Sequence, residues 1–315
     1  MIRILTPFIG LALVILIFGI LTGSLIQYLS VPNVRIVLAQ TVIVAIGAIG
    51  MTLIIVSGGI DLSVGSSIAL TSVVTALALN SWNPLAAAFA GILAGGIVGL
   101  TNGVVITTLR VVPFIATLGM LGVARGVAKW AAGEMTVAIP STWLNELAVT
   151  IPSRSWMIVA PGVWITLALA AAAAIVLRLT VFGRRVFALG SNEVAARACG
   201  IPVARMKIII YSLAGLTFGL SGVMQMSRLR QGDPTVAAGV ELDIIAAVVI
   251  GGGSLSGGEG SILGSMIGAL IMAFLRNGCQ QVGWSNYIQE IIIGAIIVAA
   301  VAVESRARAK HRERL

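Results

Sequence analysis

Charge is the scarcest commodity in this 315-residue chain: Asp, Glu, Lys and Arg make up 10% of it, against 58% hydrophobic residues. A soluble domain carries about 25% charged residues, so that class is excluded. Histidine is reduced to His311, in a charged C-terminal tail, and cysteine to Cys199 and Cys279. These counts remove His-based catalytic triads, the paired histidines of intramembrane metalloproteases, zinc-site spacings and a disulfide framework. Both thiols read as buried, and a polytopic enzyme loses most of the side chains it would need.

What remains is apolar and long. Mean hydropathy is +1.08, and uncharged runs extend from Ile4 to Val34, Ile36 to Ile60, Leu62 to Leu109, Ser155 to Leu177 and Ile208 to Ser227. Runs of this length span a bilayer. Arg3 before the first run imitates a secretory leader, but the run exceeds a leader's core of about 7 to 15 residues and no A-x-A site follows, so it is expected to stay as a first span. Breaks at charges and at Pro, Gly and Asn place spans at 4–24, 36–57, 65–80, 86–108, 112–131, 156–178, 208–227, 243–257, 260–275 and 287–303. The fold class is therefore all-α integral membrane, about ten helices in one domain over residues 1–315. The stretches 243–257 and 260–275 fall short of the roughly 20 residues a straight crossing needs, which suggests half-helices or a re-entrant pair.

The formal charge of +9 comes from 20 basic and 11 acidic residues. In a soluble chain it would point to nucleic acid; here the positive-inside bias accounts for it. Ten spans place both termini on one side together with Arg3, Arg110, Arg178, Arg184, Arg185, Arg197, Arg205, Lys207 and the tail Arg306, Arg308, Lys310, Arg312 and Arg314. That side is assigned to the cytoplasm. Three hydrophilic segments result: an outward loop at about 132–155, a cytoplasmic loop at about 180–207 and a basic cytoplasmic tail at 304–315. Within the second, Ser191 or Asn192 can cap a short helix through Ala198, with Glu193 in its first turn and Gly200-Ile201-Pro202 as its stop.

Two glycine-broken stretches carry the most local information. Gly58-Gly59-Ile60-Asp61-Leu62-Ser63-Val64-Gly65 sets a carboxylate and paired glycines between apolar segments. An intramembrane acid marks a pathway or a structural pairing, or else caps the helix that follows. At an offset of 193, Val56, Gly58, Gly59, Leu62, Ser63 and Gly65 repeat as Val249, Gly251, Gly252, Leu255, Ser256 and Gly258. Such interruptions in corresponding positions of two halves point to a transport site, and on ten spans the copies run parallel. Asn102 reads as a packing or capping group; Glu241 and Asp243, two apart, point to different faces and read as dipole partners of a helix start. Arg125, Asn277 and Glu290 are the other polar groups in or near the spans. Leu255-Ser256-Gly257-Gly258-Glu259 imitates an ATPase signature, but none of the three lysines, Lys129, Lys207 and Lys310, completes a phosphate-binding G-x-x-x-x-G-K-[ST] loop.

Residues 48–70, 113–126, 190–207 and 241–270 together resemble the permease subunit of bacterial ATP-binding-cassette importers of the ribose, xylose, arabinose, galactofuranose and autoinducer-2 class. The resemblance implies a transmembrane permease in the bacterial inner membrane that moves a monosaccharide, ribose-like, from a periplasmic sugar-binding protein into the cytoplasm. It implies an ATP-binding-cassette ATPase on separate chains holding the ATP and Mg, no cofactor, metal or catalytic residue on this chain, and a second permease, identical or a close paralogue. It also implies that Asn192, Glu193, Ala195, Ala196, Arg197 and Gly200 form a coupling helix. The pathway and broken-helix candidates are Gly58, Gly59, Asp61, Ser63, Asn102, Gly251, Gly252 and Ser256. A self-sufficient secondary transporter of a small neutral solute is the alternative, with Asp61 as its candidate ion site.

Overall fold

The computed structural model describes residues 2–150 and 157–312, so Pro152, Arg154 and Ser155 of the outward loop, Trp156 and the end of the basic tail lie outside the described residues. Thirteen α-helices are present among them, and each of the ten expected spans carries one. In order these are α1 (Ile2–Leu21), the single turn α2 (Leu25–Tyr28), α3 (Val31–Val56), α4 (Val64–Leu79), α5 (Pro84–Thr108), α6 (Pro113–Ala132) and α7 (Pro161–Leu179). Then come α8 (Val181–Ser191), α9 (Glu193–Ala198), α10 (Val203–Leu229), α11 (Val240–Ile250), α12 (Ile262–Gln281) and α13 (Asn286–Arg312). Four of the long helices, α3, α5, α6 and α7, open on a proline in the first turn, where its missing N–H costs nothing. Two-residue strands β1 (Val137–Ala138) and β2 (Gln231–Gly232) pair antiparallel, tying the segment after α6 to the end of α10.

α3 is the axis of the fold. Eighteen of its 26 residues are buried, which a helix apolar all round requires, and α10, α11, α12 and α7 pack around it. α10 also crosses α5 at backbone contact. Any side-chain carbon added at Gly95 or Gly99 would meet the backbone of Gly215 or Tyr211, and one at Gly219 would meet Ile92. Small residues four apart let two helices approach this closely where lipid supplies no hydrophobic drive. The crossing matters for function because it fixes Asn102 on α5 and Tyr211 on α10 beside the loop after α3.

Three expectations are adjusted. α12, expected as a short piece ending at 275, continues through Arg276 and Asn277 to Gln281, because both polar side chains find partners inside the protein. The 180–207 segment contains a second helix, α8, capped by Thr180, whose hydroxyl accepts from the Gly183 N–H. The helix expected to end at 303 runs on to Arg312. α11, by contrast, is the expected half-helix, at 11 residues.

Candidate functional site

The two glycine-broken stretches end their helices in the same way. After α3 the Gly59 N–H donates to Ile54 O at 3.0 Å and the Gly58 N–H to Ile55 O at 2.9 Å, with Gly58 at φ 84°. After α11 the Gly253 N–H donates to Val248 O at 2.8 Å and the Gly252 N–H to Val249 O at 2.9 Å, with Gly252 at φ 90°. Both are Schellman stops, which need a left-handed residue just past the helix. The copies thus superpose as helix ends with Gly58 on Gly252 and Gly59 on Gly253, one residue beyond the register of the letter match. The third glycine of Gly251-Gly252-Gly253 allowed the shorter offset.

The loops meet at the same end of the bundle, so the copies run parallel. Gly258 N–H donates to Val56 O at 2.9 Å, and Gly257 sits against Gly58 and Gly190. Gly190, near the end of α8, is wedged between Val56 and Gly258 so tightly that a methyl group there would overlap backbone on both sides. Gly58, Gly252 and Ser256 are exposed around this junction, while Gly59 and Gly251 are buried.

Asp61 is enclosed, 1% exposed. Its Oδ1 accepts from the Ser63 N–H at 2.7 Å and the Ser63 hydroxyl at 2.6 Å, and its Oδ2 accepts from Asn102 Nδ2 at 3.2 Å. Asn102 Nδ2 also donates to Ser63 Oγ at 3.0 Å. Asp61, Ser63 and Asn102 are therefore brought together as one buried cluster. Ser63 holds the position before α4 without capping it by its side chain; Asp61 instead folds the chain over Ser63 itself, two residues on. Thr117 on α6 accepts from the Leu62 N–H at 3.1 Å and donates to Ile60 O at 3.3 Å, and Tyr211 donates to Ile60 O at 3.5 Å. A loop buried in protein must have its backbone groups satisfied in this way.

Directly behind Gly190 comes α9. Asn192 caps it, accepting from the Ala195 N–H at 2.9 Å, and Gly200 stops it at φ 80°. Ala196 faces inward, Arg197 and Ala195 are exposed, and Val194 stands 80% exposed at the tip. Glu193 accepts from Lys207 Nζ at 2.8 Å and from Arg197 Nη2 at 3.0 Å, which pins α9 to the foot of α10. The Lys207 hydrogen bond, more than the neighbouring charge of Arg197, holds the Glu193 carboxyl below its ordinary range. Cys199, read from the sequence as buried, is exposed at the end of α9; Cys279 is buried.

Sequence reasoning missed several contributors. Gly190 carried no signal beyond its place at the start of the 190–207 stretch. Arg276 on α12 binds Asp243 at 2.7 Å, so Asp243 is an ion-paired residue as well as a first-turn acid of α11; a buried carboxylate within a span was itself the cue to look for a cation. Asn277 pairs with Asn33 through two hydrogen bonds of 2.9 and 3.0 Å, a purely structural staple, and Glu290 is exposed. No group of three or more potential metal ligands occurs among the described residues.

A family model described as branched-chain amino acid transport system / permease component matches residues 33–301. The chain is 41% identical over 297 residues to the ribose import permease protein RbsC of Escherichia coli strain K12, covering 94% of this chain and 92% of that one. It is 40% identical to the protein of the same name from Bacillus subtilis strain 168, covering 95% and 92%. It is 33% identical to the L-arabinose ABC transporter permease protein AraH of Azospirillum brasilense, covering 96% and 89%. No solved structure matches significantly.

Proposed function

We infer the function from one premise: this chain belongs to the branched-chain amino acid transport system / permease component family. It is a multi-pass, all-α permease subunit of an ATP-binding-cassette sugar importer of the inner membrane, and it works with an ATPase and a binding protein. The finer reading is that it carries a monosaccharide of the pentose kind, as the names of the ribose and arabinose relatives suggest. It does so without catalysis or cofactor of its own, paired with a second permease and with both termini in the cytoplasm. ATP and Mg belong to the ATPase chains.

The observation that carries the mechanism is Gly190. A groove on the ATPase would take α9, with Val194, Ala195 and Arg197 as its exposed contacts. Closure of the ATPase displaces α9 and, through the α8–α9 corner, Gly190. Because Gly190 touches Val56, Gly58, Gly257 and Gly258, one displacement reaches both broken elements at once. Packed backbone on two sides does not deform gradually, so movement there passes between discrete arrangements.

The test is uptake of labelled pentoses into proteoliposomes that hold this chain and its ATPase, with binding protein outside and ATP inside. Uptake that needs ATP and the ATPase is the expected result. Uptake by this chain alone, driven by an ion gradient, overturns it.

A further inference from the structure

The enclosed Asp61 cluster leaves open which surface the solute touches, and the structure offers a different one. Gly47, sixteen residues from the start of α3 and nine from its end, lies against Ile244. At 1.5 Å per residue, α11 therefore begins about 20 Å from the α9 end of α3, near the midpoint of that helix. The chain reaches this depth without a helix. Gly232 rests on Val73 and Ala76 of α4, Ser72 Oγ donates to Asp233 O at 3.5 Å, and Gly65 at the other end of α4 faces Ala237 and Glu241. Residues 233–239 thus run unwound along α4, and two half-helices, α4 and α11, start side by side in the middle of the bundle.

This unwound strand is held by charge. Arg125 Nη1 donates to Pro234 O at 2.9 Å and Val236 O at 2.6 Å, while Asp233 accepts from the Thr235 N–H at 2.8 Å and hydroxyl at 2.7 Å. Arg276 is bound to Asp243 at 2.7 Å. Asp243, buried in the first turn of α11, keeps Oδ1 without a hydrogen-bond partner. Yet the seam is open: Thr235 and Ala238 are exposed, and so is Leu242.

Irregular backbone and charged groups at this depth do not face lipid; they are covered by protein or line water. Arg125 and Arg276 lie among Asp233, Glu241 and Asp243, so the seam offers many donors and acceptors with charges of both signs. Such a wall favours an uncharged polar solute over an ion.

We propose that this seam, from Asp233 to Leu242 with Arg125 and Arg276, is the wall of the solute pathway in the half of the membrane away from α9, and that its ligand is an uncharged, hydroxyl-rich molecule. The proposal rests on the transport reading above.

Single cysteines at Thr235, Ala238 and Leu242 test it in the complete transporter, with Cys199→Ser as the parent and Ile97→Cys on the apolar outer side of α5 as the lipid control. Thiols react as thiolates, which need water, so a membrane-impermeant methanethiosulfonate should modify the seam positions about tenfold or more faster than Ile97→Cys. The transported pentose should slow that reaction at Thr235→Cys or Ala238→Cys. Modification as slow as at Ile97→Cys, with ATP-driven uptake intact, means that protein covers the seam and overturns the proposal. Fast modification that no transported sugar slows overturns the ligand assignment. Fast modification in a protein without ATP-driven uptake removes the transport reading while leaving a watered seam.

Discussion

The two glycine-broken elements are built from nearly the same letters and do opposite things. In the first, a full-length helix, α3, descends to a Schellman stop and a half-helix, α4, rises from it. In the second, a half-helix, α11, descends to the same kind of stop and a full-length helix, α12, rises. The glycines end a helix in both copies; what lies outside them decides which side of the break is short. In the first copy the loop climbs, held by Asp61, Ser63, Asn102, Thr117 and Tyr211. In the second the loop stays low and the unwound stretch lies before the helix, held by Arg125 and the Asp243–Arg276 pair.

That contrast is broken most sharply at Arg276. Arg276→Ala strands Asp243 as a buried charge without its partner, a change that costs about 3–5 kcal/mol. Thermal unfolding of the detergent-solubilised transporter should show a large fall in Tm, and adding Asp243→Asn should restore most of it. No recovery in the double variant would mean that Arg276 works through packing instead.

Gly190→Ala strikes both copies together. On an isolated helix the change would be stabilising by roughly 1 kcal/mol, but here the methyl overlaps backbone on two sides, and overpacking of this kind costs about 1–3 kcal/mol. Reduced Tm, with loss of ATPase stimulation by sugar-loaded binding protein, is the expected outcome. Normal stimulation would separate α8 from the coupling route.

Asp61→Asn should have the smallest effect, about 1 kcal/mol. Its oxygen can still accept from Ser63, and Asn102, whose Oδ1 has no partner, can turn its amide to accept from the new one. Assembly and uptake close to the parent's are expected; loss of uptake with assembly intact would favour a pathway role for Asp61.

Much of this was legible in one dimension. Hydrophobic runs placed all ten spans; Asn192, Glu193 and Gly200 announced α9, since caps and stops are local chemistry; paired glycines marked both breaks. The close packing of Gly91, Gly95, Gly99 and Gly103 against α10 and α4 emerged only in the structure, since nothing in the letters named their partners. The surroundings of Asp61 were invisible in the letters: Asn102 lies 41 residues away and Tyr211 150 away in sequence.

The sequence by itself determined that this chain lives in a membrane as a bundle of helices, roughly where its spans lie, and which family it resembles. Length, hydropathy and capping are properties of neighbours along the chain, and a bilayer leaves an apolar segment little choice but to be a helix. Only the tertiary structure decided that Gly190 locks two distant loops, that Asp243 has a cation, and that the unwound strand beside α4 stays open. Each of these depends on residues far apart in the chain arriving at one place, which packing alone arranges.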